Sequence, residues 1–77
     1  MPYELRHEGT LLGTIASLDD AQRARESMRG NEYRYGILSN ALDYLLSGSE
    51  SHLTYLSPRD RRAVEEIVLA MREGLEG

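Results

Sequence analysis

The sequence has 77 residues, no cysteine, and nine arginines against thirteen acidic residues, which gives a formal net charge of −4. The absence of cysteine excludes disulfides, zinc-thiolate sites and thiol nucleophiles, and no apolar run approaches the roughly 20 residues that span a bilayer. The first residues carry no basic and apolar leader, so we expect a cytoplasmic protein with a single domain over residues 1–77.

The first predicted element is a β-hairpin over residues 3–16, because apolar and polar residues alternate on both sides of His7-Glu8-Gly9. A two-residue turn needs a positive φ at Glu8, whereas a three-residue loop needs it only at Gly9, so we expect the three-residue loop. In that register Gly13 leaves room for a crossing helix. The predicted core face consists of Tyr3, Leu5, Leu11, Gly13 and Ile15, and the predicted outer face of Glu4, Arg6, Leu12 and Thr14.

A first helix is predicted over about residues 18–29. Ser17 is its expected N-cap, and two aspartates follow in the first turn, where they complement the helix dipole. A narrow, alanine-rich stripe indicates close approach to the hairpin. Gly30 is expected at the C′ position that ends the helix.

A central helix is predicted over about residues 33–47, and it carries the broadest apolar stripe of the chain. Gly36 disfavours helix near the beginning, so we expect residues 33–35 to form an irregular or frayed turn. Gly48 is expected to end the helix. Residues 49–56 are predicted as a loop followed by a short segment that has no clear periodicity and is packed by Leu53 and Leu56.

The last helix, over about residues 58–74, has the clearest signals: Ser57 as N-cap, Pro58 at the first helical position, and a stripe of larger apolar residues. Its end, from Glu73 onward, is expected to fray. The fold class is therefore α+β, an N-terminal β-hairpin followed by three α-helices (ββααα). We expect the Leu5, Leu11 and Ile15 face of the hairpin to pack on the central and C-terminal helices.

Nothing in the sequence indicates an enzyme, a cofactor site or a metal site. The two histidines, His7 and His52, are 45 residues apart in the sequence, and neither has an acidic partner motif beside it. The serines of residues 47–51 lack the glycine-flanked turn of a nucleophile, and the glycines have no phosphate-binding spacing. We therefore expect a non-enzymatic protein.

The remaining candidates for function are tyrosine and arginine side chains, the types enriched at protein interfaces. The predicted partner-binding residues are Tyr33, Arg34, Tyr35, Tyr44 and Tyr55. Because so short a chain builds a small core and the central helix is apolar over a wide arc, we also expect a homodimer. The function expected is a small acidic regulator or adaptor that acts by protein–protein binding.

Two alternatives stay open. A transcriptional regulator would contact DNA through Arg59, Arg61 and Arg62, although a helix-turn-helix needs a much shorter connection than residues 48–57 and phosphates repel an acidic domain. A phage-type inhibitor of a nucleic-acid-binding defence complex would use its carboxylates to occupy a basic groove.

Overall fold

The structure, a computed structural model, describes residues 3–48 and 50–76. It confirms the predicted α+β class, because an antiparallel two-stranded hairpin is followed by three α-helices. The elements are β1 (Tyr3–His7), β2 (Thr10–Ile15), α1 (Leu18–Glu26), α2 (Glu32–Ser47), a 3-10 helix (Ser51–Tyr55) and α3 (Pro58–Glu76). In this described part of the chain, no helix combines the length and apolar character that crossing a membrane requires.

The hairpin turn has two residues. His7 pairs with Thr10, and the turn between them places Glu8 at φ 51° and Gly9 at φ 82°. Positive φ at both central residues is the type I′ pattern, whose twist matches the twist of the flanking strands. The predicted three-residue loop is therefore wrong, because the strand twist outweighs the local cost of a left-handed glutamate.

A β-bulge decides which hairpin side chains reach the core. The register shifts between Leu5 and Arg6 of β1 and leaves Leu12 of β2 without a cross-strand partner. The extra residue reverses the alternation of faces on one side of the bulge. Leu12, expected on the outer face, is therefore buried, and Leu11, expected in the core, is 47% exposed. Tyr3, also expected in the core, is exposed as well.

The first helix begins as predicted, with Ser17 as its cap, and ends three residues early, at Glu26. Its C-cap is Ser27, whose hydroxyl donates to the Ala24 carbonyl at 2.7 Å. The Ala24 carbonyl thereby has a hydrogen-bond partner other than the backbone N–H of a next helical turn, which would continue the helix. Gly30 is therefore not the C′ residue that the sequence indicates.

The second helix is regular from its start. Asn31 caps it by accepting from the backbone N–H of Arg34 at 3.1 Å, so residues 33–35 are helical and not the irregular turn that we expected. The cap satisfies a free N–H of the first turn and offsets the cost of Gly36. Gly48 ends the helix as predicted, at φ 69°.

The third helix is capped by Ser57 and begins at Pro58 as predicted. It continues to Glu76, and Gly74, which we expected in a frayed end, is buried. A Cβ at Gly74 would lie 2.5 Å from the carbonyl oxygen of Ile15. The end of α3 is therefore held against the hairpin at a distance that only glycine permits.

The hairpin packs on α1 and α3, and α2 packs across those two helices. A Cβ at Gly13 would stand 3.3 Å from that of Ala24, so α1 crosses β2 where the glycine leaves room. The expected contact between the hairpin and the C-terminal helix is present. The other helix that packs on the hairpin is α1 and not the predicted central helix, because the chain turns back directly after β2. The largest fully buried side chains are Leu5, Ile15, Leu38, Leu42, Leu53, Val64, Ile67 and Met71.

Candidate protein-binding site

The helices α2 and α3 lie side by side and run in the same direction. Near their beginnings the Tyr33 hydroxyl donates to the Asp60 carboxylate at 2.6 Å, and farther along the Arg72 guanidinium lies 5.8 Å from the centre of the Tyr44 ring. Residues 50–57 bring the chain back from the end of α2 to the beginning of α3. This parallel pair differs from a helix-turn-helix, whose two helices cross steeply through a turn of three or four residues.

At the first end of the pair, polar side chains from the hairpin turn, α2 and α3 form a network that we name the tip cluster. Its centre is His7, which is only 5% exposed. The His7 Nδ1 accepts from Arg34 Nε at 3.3 Å, and the Tyr33 ring lies 5.8 Å from the imidazole. In the neutral imidazole this bond leaves the hydrogen on Nε2. The members of the tip cluster are His7, Glu8, Thr10, Tyr33, Arg34, Arg59 and Asp60.

The outer layer of the tip cluster consists of charged side chains that bind one another. Arg59 donates to the Glu8 carboxylate at 2.7 Å, and this hydrogen bond lowers the pKa of Glu8. The hydrogen bond that Tyr33 donates to Asp60 raises the pKa of the Tyr33 hydroxyl, because the bond stabilises the protonated phenol. Arg34 donates a second bond, to Thr10, at 3.0 Å. The cluster therefore pairs its polar groups with one another, except for His7 Nε2, which is buried and has no hydrogen-bond partner among the described residues.

Farther along the pair, an open cavity of about 330 Å³ lies between α2, the 3-10 helix and α3. We name it the Tyr44 groove. Its floor is apolar and buried, formed by Leu53, Val64 and Val68, and Leu69 stands at its lip with 60% of its surface exposed. A leucine in that position leaves apolar surface in water beside an apolar hollow.

The rim of the groove carries charges of both signs. Tyr44 donates to Glu50 at 3.2 Å. Arg61 binds Glu65 at 3.1 Å and lies 4.0 Å from a carboxylate oxygen of Glu50. Arg72 stands over the Tyr44 ring. Charged side chains of both signs therefore surround the apolar floor of the groove.

The structure distributes the predicted partner-binding residues over several places. Tyr33 and Arg34 belong to the tip cluster, and Tyr35 lies beneath two arginine guanidinium groups at 5.4 and 6.0 Å. Tyr55 is 92% exposed. Of the five residues, Tyr44 alone lines the groove. The predicted set is therefore not one patch.

The three arginines of the nucleic-acid alternative lie in different surroundings. Arg59 binds Glu8, and Arg61 binds Glu65. Arg62 is exposed and has no ion-pair partner among the described residues. Two of the three charges are therefore neutralised by carboxylates of the same chain.

Sequence reasoning missed the apolar side of the groove. Leu53 lies in the segment that could not be classified, and Leu69 lies beside the predicted stripe of the last helix. A leucine among charged residues on the polar face of an amphipathic helix is the signal that would have identified Leu69.

Residues 3–48 and 50–76 contain no group of three or more histidines and acidic residues placed to hold a metal ion. The chain was also compared with protein-family models, with curated proteins and with solved structures, and no match was found in any of the three comparisons.

Proposed function

We propose that this chain is a cytoplasmic, non-enzymatic regulator or adaptor that acts by binding another protein at the Tyr44 groove. The observation that carries the proposal is the exposed Leu69 beside an apolar cavity of about 330 Å³. A partner that covers this leucine and fills the cavity removes apolar surface from water, which is the main driving force of association.

The composition of the rim favours a protein as the partner. Tyr44 and Arg72 supply an amphipathic ring and a planar guanidinium, which are common at the centre of protein interfaces. A groove between two helices suits the apolar side chains of a helical segment. Leu46, on the same helix as Tyr44, is also exposed, at 61%. The proposal includes the formation of a homodimer.

The alternative of direct DNA binding has less support, because Arg59 and Arg61 already bind carboxylates. A gel-shift assay on mixed duplex DNA at low salt tests it directly. Absence of a shift at about tens of micromolar protein removes this alternative, since non-specific binding is easily detected under those conditions.

The binding function is tested with three immobilised proteins: the natural chain, Leu69→Asp, and Leu11→Asp as the matched control on the hairpin. Leu11 is 47% exposed, so both substitutions place a carboxylate at an exposed leucine. Proteins captured from a lysate of the encoding organism are identified by mass spectrometry, and each is then purified and titrated by calorimetry.

We expect Leu69→Asp to weaken binding at least about tenfold and Leu11→Asp to leave it unchanged. Equal affinity of the Leu69→Asp variant would contradict the groove as the binding site. A captured nucleic-acid-binding defence complex would specify the inhibitor alternative. A chain that binds no purified protein and does not self-associate has no binding function of the proposed kind.

A further inference from the structure

The solvent face of α3 carries a stripe of five exposed residues that we name the α3 seam. The seam consists of Arg62, Glu65, Leu69, Arg72 and Glu76. They follow one another at spacings of three and four residues, which places them along one side of a helix. Leu69 is the middle residue and the only apolar one in the seam.

The order of charges along the seam is positive, negative, leucine, positive, negative. When two copies of α3 pack antiparallel about a two-fold axis at Leu69, Arg62 faces Glu76 of the second copy. Glu65 then faces Arg72 of the second copy. Symmetry repeats each pair, so the axis creates four pairs of opposite charge and no like-charge pair within the seam.

The cavity beside Leu69 is a second, independent observation. A two-fold interface uses the same patch on both copies, so a protruding side chain needs its recess on that same patch. Leu69 protrudes with 60% of its surface exposed, and the Tyr44 groove is the recess next to it. With the axis at Leu69, the two leucines contact each other beside the mouths of the two grooves, so apolar surface is covered on both copies.

Most of the seam charges are available for contacts between chains. Arg62 and Glu76 have no partner within the described residues, and Arg72 contacts the face of the Tyr44 ring. Glu65 is held by Arg61, which lies beside the seam. From this geometry, and resting on the proposed binding function of the groove, we infer that a second copy of this chain docks antiparallel along the α3 seam.

The borders of the seam predict a weak, salt-dependent dimer. Glu66 and Glu73 lie along one border, and the same axis brings Glu66 near Glu73 of the second copy, where like charges repel. Replacing both by glutamine is therefore expected to tighten the dimer by about tenfold.

The test is analytical ultracentrifugation of the full chain from micromolar to millimolar concentration, with circular dichroism to verify folding. We expect the mass to rise from 8.7 kDa towards twice that value. Arg62→Glu and Glu76→Arg should each weaken association by about tenfold, and the double variant should restore it, because both partners of each pair are exchanged. Arg23→Glu, an exposed site on α1, is the control for net charge.

The outcomes separate this inference from the proposed function. A dimer that neither single variant weakens beyond the Arg23→Glu control overturns the seam and keeps homodimer formation. Two weakened single variants without rescue in the double variant overturn the antiparallel register. A mass of 8.7 kDa at all concentrations overturns the second copy as occupant and leaves a foreign protein at the groove.

Discussion

The tip cluster and the Tyr44 groove lie along the same pair of parallel helices, yet one is closed and the other open. At the tip, hydroxyl, imidazole, guanidinium and carboxylate groups bind one another around the nearly buried His7. At the groove, apolar side chains line a hollow with Leu69 exposed at its lip. Two tyrosines of α2 therefore have different roles: Tyr33 belongs to the closed tip cluster, and Tyr44 lines the open groove.

Different contacts hold the two ends of the helix pair to the hairpin. Polar contacts between side chains join the tip to the hairpin. Near the far end of α3, Gly74 joins the helix to the hairpin through a backbone close approach that leaves no room for a side chain. Substitutions in the two regions are therefore expected to differ in their effect on the free energy of unfolding.

The largest effect is expected from Gly74→Ala, which should lower the free energy of unfolding by about 2–3 kcal/mol, because the new methyl group overlaps the Ile15 carbonyl. Gly36→Ala is the control, since nothing lies within 4 Å of the position of its Cβ. There the better helix propensity of alanine should raise the free energy of unfolding by about 0.5–1 kcal/mol. Urea denaturation measures both, and stabilisation by both substitutions would mean that α3 is not tightly held.

Removing the central contact of the tip cluster is expected to lower the free energy of unfolding by less than Gly74→Ala does. Arg34→Met should lower the free energy of unfolding by about 1–2 kcal/mol, because it leaves the buried Nδ1 of His7 without a donor. Arg59→Met is the matched control at the exposed edge of the same cluster, and its effect should be smaller, since water screens its ion pair with Glu8. Equal losses in urea denaturation would argue against a buried histidine at the centre.

At the groove, Leu69→Asp should change the free energy of unfolding by no more than about 0.5 kcal/mol, although the same change should weaken binding. The adjacent Val68 is 2% exposed, so Val68→Asp should unfold the chain or destabilise it severely. Thermal melts of both variants measure this contrast. A large loss of stability in Leu69→Asp would mean that the leucine belongs to the core.

The smallest effect concerns acid titration at the tip. The hydrogen bond from Arg59 holds the pKa of Glu8 below its ordinary value of 4.5, so the stabilisation from this pair is present above that value and is lost as the pH falls through the folded-state pKa. Arg59→Met should therefore raise the Glu8 pKa towards 4.5. NMR titration of the Glu8 side chain measures both proteins, and identical values would show that the ion pair does not persist in solution.

The parts of the fold that sequence predicted depend on neighbouring residues. Ser17 and Ser57 accept from backbone N–H groups three positions ahead, and Gly48 adopts the left-handed conformation that ends a helix. Such signals lie within a few residues of the structure that they specify. The order of elements and the fold class therefore followed from local reasoning.

The parts that failed depend on residues far apart. The bulge at Leu12 selects the face that packs on the helices, and local alternation does not reveal it. Glu8 tolerates a positive φ in a turn where its carboxylate binds Arg59, 51 positions later in the chain. The groove was not predicted for the same reason, because the aromatic and basic residues were grouped by type, whereas the groove is assembled around Leu53 and Leu69 by the parallel packing of α2 and α3. The five predicted partner-binding residues remain a prediction.

Ile15 brings the two ends of the described chain together. Tyr3 pairs with it across the hairpin, and Gly74 packs on its backbone and side chain. Separation of the end of α3 from the hairpin would expose the residue that also pairs with the start of β1, so we expect the first strand and the last turn of α3 to open together. The two ends of the described chain thus form one closure of the fold at Ile15.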